Sequence, residues 1–161
     1  TLDQAFSAQL DKAAVGELLA AIDEAKDILY LADNAGEIVL DRLLIEQMPM
    51  ERVTLVVRGS PVINDATRAD AEAAGLSSLV SVIDNGSDVP GTILKECSAE
   101  FQERFASCSL VIAKGQGNYE TLSGQGDKVF FLLQAKCPVI ARDIGCDVGR
   151  MIICRGGRRM R

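Results

Sequence analysis

The sequence predicts an α/β fold, a three-layer αβα sandwich built on a mostly parallel, doubly wound sheet. Three observations carry that prediction. Short, strongly apolar runs recur along the chain, segments with helical spacing of their apolar residues alternate with them, and no long structureless stretch intervenes. Strands that alternate with helices form a parallel sheet with helices on both faces. Right-handed crossovers then bring every strand-to-helix loop to one rim of that sheet.

Taken in order, residues 2–26 are rich in Ala and Leu, contain no Pro, and read as one long or two shorter helices. Ile28-Leu29-Tyr30-Leu31-Ala32 is apolar throughout, the pattern of a strand buried on both faces. It stops at Asp33 and Asn34, and a helix is predicted from Glu37 to near Met48, because Pro49 disfavours helix in the residue before it. Arg52 to Arg58 is a β-branched second strand, followed by a polar loop through Asn64-Asp65 and a helix from Ala66 to Ala74 that Gly75 stops. Val80 to Ile83 is the third strand, and Asp84-Asn85-Gly86 follows it. A helix is predicted over Thr92 to Ser107. Leu110 to Ala113 is the fourth strand, with Lys114-Gly115-Gln116-Gly117-Asn118 read as its loop. Val129 to Leu133 is the fifth, a short helix begins at Pro138, and Met151 to Cys154 forms a sixth.

Composition excludes several classes of function. The chain has 161 residues, 48% hydrophobic and 25% charged, which suits one globular domain. No apolar run approaches the ~20 residues of a membrane span, so no membrane partner is expected. The chain contains no His, which removes His-based triads, His-ligated zinc and His general bases. Five Cys, an odd number with no C-x-x-C pair, point to reduced thiols in the cytoplasm rather than to disulfides or zinc. Cys137 stands before Pro138 and Cys154 lies in an apolar run, so burial as small hydrophobes is expected of them. A net charge of −6 argues against nucleic acid as a partner, and the basic tail from Arg155 to Arg161 reads as a solvated terminus.

The polar strand ends are where chemistry gathers. In open α/β sheets ligands bind outside the carboxyl ends of the strands. Asp33, Asn34 and Asp65 offer two carboxylates and an amide, hard oxygen ligands for a divalent ion that keeps several waters. The start of the helix after Asn34, at Gly36 and Glu37, carries the partial positive charge that suits a phosphate. Lys114 supplies a flexible point charge for the same group. Plainer explanations fit each motif singly: Asn34-Ala35-Gly36-Glu37 matches a capping box, Asn64 or Asp65 matches a helix cap, and Gly115-Gln116-Gly117 and Asp84-Asn85-Gly86 match turns. The glycines complete neither a dinucleotide fingerprint nor a P-loop.

Together, Asp33-Asn34-Ala35-Gly36-Glu37, Asn64-Asp65-Ala66-Thr67 and Lys114-Gly115-Gln116-Gly117-Asn118-Tyr119 resemble, in order and spacing, the motifs of the metal-dependent damage-control phosphatases. The resemblance runs from about Ile28 to Cys154. It implies that Asp33, Asn34 and Asp65 hold the metal, Mn²⁺, Mg²⁺, Co²⁺ or Ni²⁺. It also implies that Lys114 contacts phosphate and that Asn118 lines the same pocket. With the helix start at Gly36 and Glu37 on the substrate side, Asp33, Asp65 and Lys114 are expected in catalytic roles. Family members carry a helical segment ahead of this domain, whereas about 27 residues precede the first strand here. Residues 1–161 are therefore expected to be a single α/β domain from a longer protein. The expected activity is hydrolysis of a small phosphorylated metabolite, a sugar phosphate or nucleotide-like compound, in metabolite damage control. Two rivals stand beside it: a non-catalytic nucleotide- or phosphate-binding module, and an S-adenosylmethionine-dependent carboxyl methyltransferase. The first strand is not followed by a Gly-x-Gly-x-Gly loop, which counts against the methyltransferase.

Overall fold

The computed structural model describes residues 10–157. Residues 2–9 of the predicted N-terminal helix, and the basic tail beyond Gly157, lie outside the described residues. The elements run α1 (Lys12–Glu24), β1 (Ile28–Leu31), α2 (Ile38–Ile45), β2 (Val53–Val57), α3 (Arg68–Ala73), β3 (Ser81–Asp84), α4 (Ala99–Ser107), β4 (Leu110–Lys114), α5 (Gly115–Leu122), β5 (Val129–Gln134), α6 (Pro138–Ile144) and β6 (Met151–Arg155). The strands form a six-stranded sheet in the order β3-β2-β1-β4-β5-β6. The first five pair in parallel, and β6 runs antiparallel to β5.

Burial explains the continuous apolar runs. Every residue of β1, β2 and β4 is buried, because these strands have a neighbour on each side and helices above and below. Alternate side chains then serve two cores. Ile28, Tyr30 and Ala32 face the layer of α1, α2 and α3, while Leu29 and Leu31 face that of α4, α5 and α6. The edge strand β3 is half-exposed, and Arg68 on α3 covers it, donating to the Asp84 carboxylate at 2.8 Å and to the Val82 carbonyl at 2.8 Å.

Two elements differ from the sequence reading. The helix predicted over Thr92 to Ser107 starts only at Ala99, where Ser98 caps it by accepting from the Phe101 amide at 3.2 Å. The residues before it form a single 3₁₀ turn, Leu94–Glu96. The stretch read as a loop after the fourth strand is instead α5, an eight-residue helix that opens at Gly115. Gly-Gln-Gly-Asn has weak helix propensity, and packing of Tyr119 and Leu122 into the core supplies what propensity lacks.

The strand order places the site. Consecutive strands leave β1 in opposite directions, so α2 and α5 diverge from the adjacent strands β1 and β4 onto opposite faces. The crevice at such a reversal is where ligands bind in doubly wound folds. No helix among the described residues is long and apolar enough to cross a membrane.

Candidate functional site

The loops after β1 and β2 are stitched together by main chain. Asn34 and Asp65 form a one-residue antiparallel pairing, in which the Ala35 amide donates to the Asn64 carbonyl and the Ala66 amide to the Asp33 carbonyl, both at 2.8 Å. Asp33, Asn34 and Asp65 are thereby held at one point of the rim.

Asn34 closes its own turn, its Oδ1 accepting the Gly36 N–H at 2.8 Å. Glu37 does not reach back to complete a capping box; its carboxylate pairs with the Lys114 ammonium. The Gly36 and Glu37 amides are both committed to Asn34, the first to its side chain and the second to its carbonyl at 3.1 Å.

Asp33 is half-buried, and neither of its carboxylate oxygens takes a hydrogen bond from a described residue. Burial, followed by the negative charges of Asp65 and Glu37, holds its pKa above the ordinary carboxylate value, while Lys136 and Arg58 pull the other way. The carboxylate lies against the first turn of α5. Gly115 has φ +79°, and a Cβ there would collide with the Asp33 carboxylate. Only glycine satisfies both demands.

Asp65 is paired with Arg58, Nε to Oδ2 at 2.7 Å, and its second oxygen takes no hydrogen bond among the described residues. Arg58 is 4% exposed and also donates to Thr92 Oγ1 at 3.1 Å and Asn118 Oδ1 at 3.4 Å. Asn118 is fully buried beneath the crevice rather than on its wall. Its Nδ2 donates to the Lys114 carbonyl at 2.7 Å and the Ala32 carbonyl at 3.3 Å, tying β4 and α5 to β1.

Lys114 is 7% exposed. Its ammonium donates to Glu37 and, at 2.5 Å, to Asp41 Oδ1, which also accepts the Tyr30 hydroxyl at 2.8 Å. Burial works to lower its pKa, but the two carboxylates outweigh it and raise the group above the usual lysine value. The other oxygen of Asp41 is buried without a partner among the described residues.

Of these groups Asp33, Glu37, Asp41 and Lys114 border a cleft of about 790 Å³, while Asn34 and Asp65 adjoin Asp33 outside its lining. The cleft lining is polar at Asp33, Glu37, Lys114, Gln116 and Lys136 and apolar at Leu40, Leu132 and Ile153. Among the described residues no three carboxylates or thiols converge on one point. A cation here would rest on Asp33, Asp65, the Asn34 amide oxygen and water, a hard, oxygen-only donor set that fits Mg²⁺ or Mn²⁺.

The sequence reading missed Arg58 and Lys136. Both close apolar strands at the same rim, Arg58 directly after β2 and Lys136 two residues after β5. A cation ending a buried strand was the signal available for the first. Lys136, separated from the fifth strand by Ala135, carries no motif of its own in the sequence.

The model of the damage-control phosphatase ARMT1-like domain matches residues 1–152. The chain is 46% identical over 136 residues to an uncharacterized protein of Methanocaldococcus jannaschii, covering 81% of this chain and 45% of that protein. It is 43% identical over 143 residues to a damage-control phosphatase of Pyrococcus horikoshii, covering 86% and 50%. Over 129 residues it is 43% identical to a damage-control phosphatase of Archaeoglobus fulgidus, covering 78% and 45%. A crystal structure of a DUF89 family protein from Pyrococcus horikoshii superposes with a TM-score of 0.82 at 42% identity, covering 88% of this chain and 51% of that one. The chain thus spans about half the length of the relatives it matches.

Proposed function

The chain belongs to the damage-control phosphatase ARMT1-like domain family, and from that premise we propose that it carries the metal centre of a phosphomonoester hydrolase acting on small phosphorylated metabolites. The observation that carries this reading is the Asp33 carboxylate. It stands at the chain-reversal crevice beside Asp65 and Asn34, with neither oxygen hydrogen-bonded among the described residues and with its ionised form disfavoured. Two carboxylates that repel each other across a rim form a site that a divalent ion completes.

Asp33, Asn34 and Asp65 would hold the ion, which when bound polarises a phosphoryl oxygen and lowers the pKa of a bound water. The chain's own residues do the rest. Lys136, exposed on the cleft wall facing Asp33, binds the phosphate as a mobile point charge. Gln116 accepts the Lys136 main-chain N–H at 3.0 Å and so fixes the base of that side chain. Lys114 has one N–H beyond those given to Glu37 and Asp41, and it serves chiefly to hold the Glu37 and Asp41 charges at the cleft floor. The apolar part of the lining leaves the substrate's body to be selected by shape.

The test is a panel of phosphorylated metabolites, with an aryl phosphate as reference, assayed with Mn²⁺, Mg²⁺, Co²⁺ or Ni²⁺ and again after chelation. Phosphate release that disappears with the metal is the expected result. Phosphate binding without turnover under any metal would make the domain a non-catalytic binding module. Calorimetric binding of S-adenosylmethionine would favour methyl transfer.

A further inference from the structure

The two carboxylates of the candidate centre are not held alike. The Asp33 carboxylate has no hydrogen-bond partner among the described residues, whereas the Asp65 carboxylate has one oxygen bound to a buried guanidinium and the other without a partner among them. That guanidinium belongs to Arg58, whose main-chain N–H is itself fixed to the Ala66 carbonyl at 2.9 Å. Its fork reaches three segments: Nε to Asp65 at 2.7 Å, Nη1 to Thr92 Oγ1 at 3.1 Å and Nη2 to Asn118 Oδ1 at 3.4 Å. Thr92 relays the contact, donating in turn to the same Asn118 oxygen at 2.7 Å. Asn118 then holds the Lys114 carbonyl at the turn into α5, the turn against which Asp33 rests.

Stability is a poor reason for such a group. A buried ion pair is often no more stabilising than well-packed apolar residues of the same size, because both charges must be stripped of water. What the arrangement does provide is geometry. A planar fork commits one chosen oxygen of a carboxylate in a chosen direction, as an ammonium does not.

We propose that Arg58 is a positioning residue for the candidate metal centre: it clamps Asp65 by Oδ2, leaves the other oxygen for the cation, and locks the Asp65 loop in register with α5 through Thr92 and Asn118. The inference rests on the metal site assigned above to Asp33, Asn34 and Asp65. Partners that orient metal ligands typically contribute 10- to 100-fold to metal affinity.

The test is Mn²⁺ affinity, read by electron paramagnetic resonance of free and bound ion, together with thermal melts of the same samples. Arg58→Lys keeps the charge and loses the fork, so affinity should fall about tenfold while the protein stays folded. Wild-type affinity in folded Arg58→Lys overturns the proposal. So does tighter Mn²⁺ binding by Arg58→Met than by wild type, which would make Arg58 a counter-charge that competes with the metal. If Arg58→Lys does not fold, Thr92→Val carries the test: it removes one anchor of the guanidinium and keeps the pair with Asp65. A loss of about threefold supports the proposal, and unchanged affinity overturns it. Should the wild type take up no Mn²⁺, the metal site itself is wrong and the Arg58 role falls with it, a result readable before any variant is made.

Discussion

Asp33 and Lys114 are both charged residues of one cleft, and their surroundings predict opposite behaviour. Ionised Asp33 costs the fold stability, because its folded pKa lies above the unfolded value. That cost is present at neutral pH and is relieved as pH falls through the raised value. Asp33→Asn should therefore raise the melting temperature of the metal-free protein by on the order of 2 °C at pH 7. The gap should close as pH is lowered towards 4, while Mn²⁺ affinity falls at least about tenfold. A variant with wild-type Mn²⁺ affinity and wild-type melting at all pH values would assign Asp33 to the turn alone. Lys114 is the reverse case. Its folded pKa is raised, so its contribution is complete below the ordinary lysine value of 10.5 and is lost as pH rises through the higher folded value. Lys114→Met strands Asp41 in the interior and should cost about 3 kcal/mol in denaturant unfolding, part of which a second change, Asp41→Asn, restores. Additivity of the two changes would mean that the pair is not coupled.

At the scale of the element, two helical glycines separate backbone preference from site geometry. Gly16 lies in the exposed interior of α1, and an added Cβ meets nothing within 4 Å. Gly16→Ala should stabilise by about 0.5–1 kcal/mol, since alanine lowers the entropy cost of the helix. Gly115 opens α5 at positive φ with Asp33 against it. Gly115→Ala should both destabilise the fold and displace the Asp33 carboxylate, so Mn²⁺ affinity falls together with the melting temperature. If Gly115→Ala melts lower yet binds Mn²⁺ as before, α5 does not shape the site. The contrast also explains why α1 was legible in the sequence and α5 was not. Ala and Leu in α1 favour helix intrinsically, whereas α5 is helical because Tyr119 and Leu122 are drawn into the core against β5.

At the scale of the molecule, the thiols report on packing. Cys97, Cys108 and Cys154 are buried, and Cys137 and Cys146 are half-buried. Burial pushes the Cys97 thiol up to about 11 and Cys154 up to about 12. No more than two thiols should react quickly with a bulky disulfide reagent at pH 8 in the native protein, and all five after unfolding. Fast reaction of three or more would mean that the core around α4 and β6 opens readily.

What the chain decides locally, its sequence displays. The apolar runs of β1, β2 and β4, the helix stops at Pro49 and Gly75, and the oxygen donors Asp33, Asn34 and Asp65 follow from side-chain chemistry and spacing within a few residues. Pairing across the sheet is decided elsewhere. Nothing in Met151 to Cys154 says that β6 runs antiparallel to β5, because direction depends on how the preceding helix α6 delivers the chain. The partners of the charged residues belong to the same class. Glu37 could complete a capping box or reach across to β4, and it does the second because Lys114 arrives beside it from 77 residues further along the chain. Arg58 finds Asp65 seven residues away, but Thr92 and Asn118 only through the fold. Sequence names the charges, and only tertiary structure decides which of them cancel and which remain free to bind.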